Sequence, residues 1–460
     1  MTASSLDRLA ARCILPGFAG TDPPEWLLRW CERGLGGVVL FARNVSSVEQ
    51  VARLTSALRG LVVAIDEEGG DVTRLEARTG SSYPVALALG TVDDTALTAE
   101  VAAALAADLA AAGITMNLAP VADVNANPDN PVIGVRSFGS DPQLVARHVA
   151  AFVDGTQRQG VAACAKHFPG HGDTAVDSHL GLPVVEGDLD AALVPFRAAV
   201  EADVKAVMTG HLLVRRLDAA EPATLSGVAL RLLREELRFR GLIVTDALEM
   251  GAISGTCGFG EAAVRALAAG ADALCLGRDI DEGDVAEVHG AIVAAVASGR
   301  LAADRIAEAA ARVDSVARWT APDSAGADRA AAATAARRAL TADGDLHVDA
   351  PLVVELEAEP SIAAGEVGYG FRDAARRVWP DLSFDVANRA GRPLVLVLRD
   401  AVRRPAQQAA ARELVARHPR TVVVETGLPG WRPDGAAGYV ATFGAGRVNL
   451  DAAAELLAHG

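Results

Sequence analysis

Short apolar runs alternate with segments of helical periodicity from Arg12 to Leu276. Eight runs have the composition of buried strands: Arg12 to Leu15, Gly37 to Phe41, Leu61 to Ile65, Ile114 to Leu118, Val161 to Ala165, Ala206 to Met208, Leu242 to Thr245 and Ala273 to Leu276. The helical segments between them include Val48 to Leu58, Thr95 to Ala112, Pro142 to Gln159, Leu189 to Ala202 and Gly260 to Ala269. Continuously apolar strands separated by helices predict parallel pairing with both faces of the sheet covered.

Eight strand and helix units in one stretch of this length predict a closed (β/α)₈ barrel of the TIM type over residues 1–321. An open, doubly wound parallel sheet is the alternative. Hydrophobic residues make up 51% of the 460-residue chain, which is enough to bury a core of this size.

The pattern of strand-like and helical segments changes after Trp319, where Pro322 interrupts it. We place the domain boundary there and predict a small C-terminal α/β sandwich-like domain over residues 322–460. Its strand candidates are Leu352 to Leu356, Leu394 to Arg399, Thr421 to Glu425 and Tyr439 to Thr442, and its helix candidates are Pro405 to Ala416 and Leu450 to Ala458. Its histidines show no convergent pattern, so we assign this domain no chemistry.

Charge and cysteine content restrict the partners and the compartment. The net charge of -16 excludes the basic surface that nucleic acid or an anionic membrane requires, so we expect a small-molecule substrate. The five cysteines are odd in number and include no C-x-x-C pair, which is typical of reduced thiols in a cytoplasmic protein. We expect neither a signal peptide nor a membrane anchor at the N-terminus.

Polar residues follow six of the predicted barrel strands. In a (β/α)₈ barrel these positions form one rim, which is where the chemistry of such folds takes place. The residues are Arg43 and Asn44, then Asp66, Glu67 and Glu68, then Asp123 and Asn125, then Lys166 and His167, then His211, and finally Asp246. Any one of them could be a helix cap or a solvated loop residue, but their agreement along successive strands indicates an active-site rim.

The segment KHFPGHGDTAVDSH, from Lys166 to His179, concentrates proton-handling groups. Apart from Lys166, the sequence has one lysine, Lys205, so position 166 selects a compact ammonium group. Asp177 and His179 are two residues apart and share a face in an extended segment. A carboxylate beside an imidazole favours its protonated form, as a general acid requires, whereas an incidental surface pair is the ordinary alternative.

Asp246 follows an apolar strand in GLIVTDALEMGAI. An aspartate is already ionised near neutral pH and can act as a nucleophile there. The commoner role for an aspartate between a strand and a helix is an N-cap, and the company of the 166–179 segment favours the nucleophile.

A metal site is another interpretation of the same segment. It would use His167, His171 and His179, with Asp173, as ligands of zinc or another metal. The F-P-G sequence between the first two histidines disfavours the helix that an H-x-x-x-H site needs. We therefore predict no metal and no cofactor, and bound metal with chelator-sensitive activity would reverse this prediction.

Four motifs together resemble family 3 glycoside hydrolases, and most closely their bacterial β-N-acetylglucosaminidase branch. They are IDEEGGDVTRL at 65–75, NPVIGVRSFG at 130–139, KHFPGHGDTAVDSH at 166–179 and TDALEMGAI at 245–253. The motifs cover the whole predicted barrel in order. Asp71 departs from the pattern, because an arginine commonly follows E-G-G in the family.

The resemblance implies a retaining glycosidase that needs no metal. By position, it makes Asp246 the nucleophile, His179 the general acid and base, and Asp177 the partner of that histidine. It implies sugar contacts for five further residues: Asp66, Arg74, Arg136, Lys166 and His167. The implied substrate is a cell-wall fragment with a terminal β-linked N-acetylglucosamine, cleaved during peptidoglycan recycling.

Some relatives with a histidine acid and base transfer the sugar to phosphate, so hydrolysis and phosphorolysis both stay open. An inactive carbohydrate-binding protein is a further alternative. It would bind a chromogenic N-acetylglucosaminide without turning it over, and the presence of both Asp246 and His179 argues against it.

Overall fold

The computed structural model describes residues 2–178, 181–255, 257–319, 326–356, 365, 368–385 and 391–459. Eight strands surround a common axis in the first part of the chain. They are β1 (Ile14–Pro16), β2 (Gly37–Leu40), β3 (Val62–Ile65), β4 (Met116–Asn117), β5 (Ala162–Phe168), β6 (Ala206–Thr209), β7 (Leu242–Thr245) and β8 (Leu274–Gly277). Each overlaps one of the runs predicted from sequence, with ends that differ by at most three residues.

Strand pairing closes this sheet into a barrel. Strands β2 to β7 are parallel neighbours in chain order. A parallel bridge between Val244 and Ala273 continues the order to β8, which pairs in parallel with β1. Strand β1 in turn lies beside β2. Because the first and last strands are neighbours, the predicted (β/α)₈ barrel is confirmed and the open doubly wound alternative is wrong.

Alternate strand residues separate two apolar layers. Val39, Ala64, Met208 and Val244 belong to a buried cluster inside the barrel, which Val313 joins from the helix before the boundary. The intervening strand residues pack against the surrounding helices in a larger cluster. Both faces of the strands are therefore dry, which explains their unbroken apolar sequence.

Twelve helices accompany the barrel strands in the described part of the chain. They are α1 (Ala3–Arg12), α2 (Glu25–Glu32), α3 (Val48–Ser56), α4 (Ala86–Val92), α5 (Thr95–Ala111), α6 (Pro142–Gln157), α7 (Leu189–Glu201), α8 (Gly227–Arg231), α9 (Gly251–Ser254), α10 (Phe259–Ala269), α11 (Glu282–Ala297) and α12 (Ala303–Ala317). Side chains cap several of their N-termini: Ser47 accepts a hydrogen bond from Gln50 N, and Asp94 accepts one from Leu97 N. Two short strands, Val184–Val185 and Leu213–Val214, pair in parallel outside the barrel.

The second part of the chain is an α/β domain around one five-stranded sheet. Its elements are α13 (Ala330–Ala339), β9 (Thr341–Gly344), β10 (Leu352–Glu355), α14 (Phe371–Val378), β11 (Leu394–Leu398), α15 (Pro405–Arg417), β12 (Thr421–Glu425), β13 (Gly438–Ala441) and α16 (Arg447–His459). The strand order is β9-β13-β12-β11-β10, with β9 antiparallel to β13 and the other pairs parallel. The four strands predicted here are present, and β9 adds a fifth edge strand.

The predicted boundary at Pro322 lies outside the described residues, and the division at 321/322 stays a prediction. Helix α13 contacts α4 and α5 of the barrel as well as α16 of the second domain. Its Ala331, Ala332 and Ala335 belong to the apolar cluster around the barrel. This helix therefore joins the two cores. Among the described residues, no helix has the length and apolar character to cross a bilayer.

Candidate active site

The carboxyl ends of the barrel strands surround a cavity of about 1070 Å³. Six of the eight predicted site residues line it: Asp66, Arg74, Arg136, Lys166, His167 and Asp246. Asp177 is buried, and the adjacent Ser178 lines the cavity. His179 lies outside the described residues. Residues that lie at or after the ends of four strands, β3, β4, β5 and β7, thus meet at one point, as parallel strands in a barrel require.

Lys166 lies at the centre of the charged groups in this cavity. Its Nζ atom is 2.6 Å from Asp66 Oδ1 and 2.7 Å from Glu68 Oε1, and its side chain is 2% exposed. Burial alone would lower the pKa of Lys166, but the two carboxylates outweigh it and raise that pKa, so the ammonium stays charged. A compact ammonium group between two carboxylates explains why lysine stands here in an arginine-rich chain.

Glu68 connects Lys166 to Arg136. Its two carboxylate oxygens accept hydrogen bonds from Arg136 Nε at 2.9 Å and from Arg136 Nη2 at 2.7 Å. Burial works to raise the pKa of Glu68, but the adjacent Arg136 and Lys166 outweigh burial and hold that pKa far below its usual range. Arg74 is a looser neighbour, with Nη2 3.9 Å from Asp66 Oδ2. The result is a fixed set of donors and acceptors at the floor of the cavity.

His167 is oriented by Asp123. The Nδ1 atom of His167 is 2.7 Å from Asp123 Oδ2, and Asp123 Oδ1 accepts the backbone N–H groups of His167 and His171. Asp123 is fully buried. Because the carboxylate occupies Nδ1, the Nε2 atom is the nitrogen that this arrangement leaves for a ligand in the cavity.

Asp246 follows β7 directly and lies against the neighbouring strand. Its backbone N–H donates to Thr209 O at 3.1 Å, and one carboxylate oxygen accepts from Ala247 N at 2.8 Å. The following helix, α9, has Met250 as its N-cap, so the interpretation of Asp246 as the N-cap of that helix is wrong. The buried His211 holds the loop after Asp246, since its Nε2 atom is 3.0 Å from Ala247 O.

Internal hydrogen bonds hold the segment that leads to Ser178. His171 Nδ1 is 2.6 Å from Thr174 Oγ1, and His171 Nε2 is 3.2 Å from Ser178 Oγ. Burial lowers the pKa of His171 to about 4, so its ring is neutral near pH 7. Ser178 O accepts from Ala252 N at 3.4 Å, which ties this segment to α9 beyond Asp246.

The metal hypothesis finds little geometric support in the part of the chain that the structure describes. No group of three His, Cys, Asp or Glu side chains there is arranged to hold a metal ion. Both ring nitrogens of His171 face hydroxyl groups within its own segment. Another of the four proposed ligands, His179, is outside the described residues, so the chelator experiment still applies.

Three residues that the strand-end pattern placed on the rim, without a role, hold other residues of the site in position. Glu68, Asp123 and His211 were all named as rim residues without a function, and they hold Arg136, His167 and the Asp246 loop. The role of each depends on a partner distant in sequence, which spacing along the chain does not show.

Asp71, the departure from the family motif, is nearly buried and has a partner in the second domain. Its Oδ1 atom is 2.6 Å from Arg399 Nη1, and its Oδ2 atom accepts from Ala445 N at 3.3 Å. The preceding Gly69 and Gly70 both have positive φ values, of 88° and 60°, and a Cβ atom at Gly70 would overlap Val85. The tight turn therefore presents Asp71 to the second domain.

Comparison with known proteins gives three consistent matches. The model of the glycosyl hydrolase family 3 N terminal domain matches residues 25–316. Beta-hexosaminidase A of Pseudoalteromonas piscicida is 37% identical over 282 residues, covering 55% of this chain and 47% of that protein. A beta-hexosaminidase of Methylococcus capsulatus is 36% identical over 263 residues, covering 55% of this chain and 78% of its own. The chain thus spans about half the length of the first of these relatives.

A solved structure extends the likeness to both domains. The glycoside hydrolase family 3 beta-N-acetylglucosaminidase from Paenibacillus sp. str. FPU-7 is 32% identical, with a TM-score of 0.87. The superposition covers 99% of this chain and 96% of that one. The second domain described above therefore belongs to the same arrangement as in that protein.

Proposed function

Because the chain belongs to glycoside hydrolase family 3, we propose that it is a retaining β-N-acetylglucosaminidase that removes terminal β-linked N-acetylglucosamine from saccharides. The observation that carries this proposal is the meeting of Asp246 with five candidate sugar ligands in one cavity. The hexosaminidase names of the relatives support the same sugar class.

In this proposal the floor of the cavity binds the terminal sugar. Asp66, which is partly exposed, accepts hydrogen bonds from sugar hydroxyl groups, while Arg74 and Lys166 donate, and Nε2 of His167 provides a further hydrogen-bonding atom. Arg136 acts mainly through Glu68, whose buried carboxylate holds it beside Lys166. The bonds already present among these residues fix their positions before the sugar arrives, which reduces the entropic cost of binding.

The reaction proceeds by two displacements. Asp246 attacks the anomeric carbon as the glycosidic C–O bond breaks, and His179 donates a proton to the departing oxygen, with Asp177 favouring the protonated imidazole. His179 then removes a proton from water, and the resulting oxygen nucleophile displaces Asp246 from the covalent intermediate. Two inversions at one carbon give net retention.

Wild-type turnover and the stereochemistry of the product test this proposal together. We expect release of 4-nitrophenol from 4-nitrophenyl N-acetyl-β-glucosaminide, with much slower release from the matching β-glucoside as a control. Proton NMR of the first-formed sugar should show the β-anomer. A first-formed α-anomer would rule out the double displacement, and absence of turnover with retained binding would indicate an inactive carbohydrate-binding protein.

We further propose that the natural substrates are peptidoglycan fragments and that the protein acts in the cytoplasm. Cys13, Cys31, Cys164 and Cys275 form no disulfide bond, and burial raises the pKa of Cys13 and Cys164 to about 12, so these two thiols are inert and suited to a reducing compartment. Release of N-acetylglucosamine from purified muropeptides, followed by mass spectrometry, tests the substrate.

Phosphorolysis is the second candidate reaction, because a histidine acid and base adds no negative charge that would repel a phosphate acceptor. Product analysis with and without inorganic phosphate separates the two reactions. Free N-acetylglucosamine at a rate that phosphate does not change identifies a hydrolase. Phosphate-dependent formation of N-acetylglucosamine 1-phosphate would identify a phosphorylase.

A further inference from the structure

Two arginines after strand β11 connect the second domain to two loops of the barrel site. Arg399 pairs with Asp71, on the loop that also carries Asp66 and Glu68. Arg403, in the turn that follows, donates through Nη1 to the backbone oxygen of Asn130. Neither arginine is among the described residues that line the cavity. Any effect they have on the reaction therefore passes through the residues that they hold.

The Arg403 contact leads directly to the 171–178 segment. Asn130 is fully buried, and its Nδ2 atom donates to His171 O at 2.8 Å and to Thr174 Oγ1 at 3.3 Å. Its Oδ1 atom accepts the backbone N–H groups of the two residues before Gly134 in the 130–136 turn, at 2.9 and 2.8 Å. One side chain thus joins the 171–178 segment to the turn that carries Arg136.

Arg403 is itself held firmly on the second domain. Its Nη2 atom is 2.9 Å from Asp400 Oδ2, and Asp400 Oδ1 accepts from Leu428 N at 2.8 Å. Burial would raise the pKa of Asp400, but Arg403 and the Leu428 N–H outweigh it and lower that pKa, so the pair is ionic near neutral pH. The guanidinium that reaches Asn130 is therefore fixed in place rather than free in solvent.

We propose that Arg403 is a positioning residue for general acid and base catalysis, which it supports by fixing the 171–178 segment through Asn130. The proposal rests on the proposed function, because it assigns the proton transfer to the residue that follows Ser178. The second domain then contributes to catalysis without touching the sugar. Displacement of a proton donor by a fraction of an ångström to one ångström is enough to reduce a rate severely.

The test compares two substrates whose leaving groups differ in their need for a proton. Phenyl N-acetyl-β-glucosaminide releases a basic phenolate and requires general acid catalysis, whereas the 2,4-dinitrophenyl substrate does not. We expect Arg403→Ala to lower kcat/KM about tenfold or more on the phenyl substrate and less than about threefold on the dinitrophenyl substrate. Equal losses on both substrates, or no loss on either, would overturn the proposal.

Two control variants separate positioning from general damage. Arg399→Ala also breaks an ion pair between the domains, but it affects the sugar-binding loop, so its loss should be equal on the two substrates. Arg432→Ala removes an exposed arginine of the same domain, whose side chain is 59% exposed and pairs with Asp343, and both rates should stay at the wild-type level. Thermal unfolding followed by circular dichroism verifies that each variant is folded.

A conservative variant and a double-mutant cycle complete the experiment. Arg403→Lys keeps the positive charge beside Asp400 and should recover part of the phenyl-substrate activity, and it serves in place of Arg403→Ala should the latter not fold. In a His179→Ala background, adding Arg403→Ala should change neither rate by more than about twofold. Additive losses would show that Arg403 does not act through the proton donor. A wild-type protein inactive on both substrates would instead contradict the proposed function itself.

Discussion

Adjacent buried glutamates on the sugar-binding loop offer a matched pair of substitutions. Glu68 and Glu67 are 8% and 3% exposed, respectively. Glu68 lies between Arg136 and Lys166, whereas Glu67 accepts the backbone N–H groups of Arg74 and Leu75 at 2.8 and 2.9 Å. Burial raises the pKa of Glu67 to about 7, against the hydrogen bonds that lower it. At pH 6, therefore, Glu68 is an anion and Glu67 is mostly protonated.

We expect Glu68→Gln to be far more damaging than Glu67→Gln at pH 6. Removing the charge of Glu68 leaves two buried cations with Asp66 as their nearest counterion, and breaking a buried pair in this way costs about 3–5 kcal/mol. At about 2 °C per kcal/mol for a domain of this size, Tm should fall by roughly 6–10 °C. Glutamine resembles the protonated form of Glu67, so its Tm should fall by less than about 3 °C.

Thermal unfolding by calorimetry and kcat/KM on 4-nitrophenyl N-acetyl-β-glucosaminide measure the two effects. Because Arg136 and Lys166 line the cavity, Glu68→Gln should also lower kcat/KM by about a hundredfold or more, while Glu67→Gln leaves it within about fivefold. Equal Tm shifts for the two variants would refute the reasoning, since both remove a buried carboxylate of the same size and differ in their charged partners.

Three further predictions concern the nucleophile, the second domain and the barrel base. Asp246→Ala should reduce turnover at least about a thousandfold on both the phenyl and the dinitrophenyl substrate, whereas His179→Ala should spare the dinitrophenyl substrate. Steady-state kinetics measure both effects, and equal losses by the two variants on both substrates would contradict these roles. Burial raises the pKa of Glu425 to about 7 despite the backbone N–H groups that lower it. The stability that the protonated side chain provides is therefore complete below about pH 4.5 and is lost as pH rises through 7. Glu425→Gln should flatten the fall in Tm between pH 5 and 8, and an unchanged slope would contradict this. Asp272 is fully buried and forms ion pairs with three arginines, so Asp272→Asn should lower Tm by several degrees with unchanged KM, and a raised KM would show that the effect reaches the cavity.

The barrel could be predicted from the sequence because its strands are buried on both faces. Val38 and Val39 lie side by side in the chain and enter different apolar layers, so the run reads as continuously apolar. The edge strand β9 was not predicted, since Thr341–Gly344 is exposed along its whole length and carries no apolar signal. A hydrophobic pattern indicates buried strands, so an exposed strand cannot be predicted from it.

The sequence predicts which residues lie at the site but not which side chains pair with one another there. Position after a strand was sufficient to mark Asp66, Lys166 and Asp246 as rim residues, because parallel strands bring their carboxyl ends together. The pairing of Glu68 with Arg136, 68 positions away, depends on where the 130–136 turn packs in the folded barrel, which spacing along the chain does not show. The contacts of Arg399 and Arg403 are further removed still, because they depend on the docking of a second domain.

The ion pair of Asp71 with Arg399 restricts how this protein can be recombined with its relatives. A barrel with arginine at position 71, joined to this second domain, would place two guanidinium groups against each other in a nearly buried contact. The reciprocal chimaera would be acceptable only if its second domain also supplied a cation there. We therefore expect an exchange of the acid at 71 to be tolerated better when the base at 399 is exchanged with it.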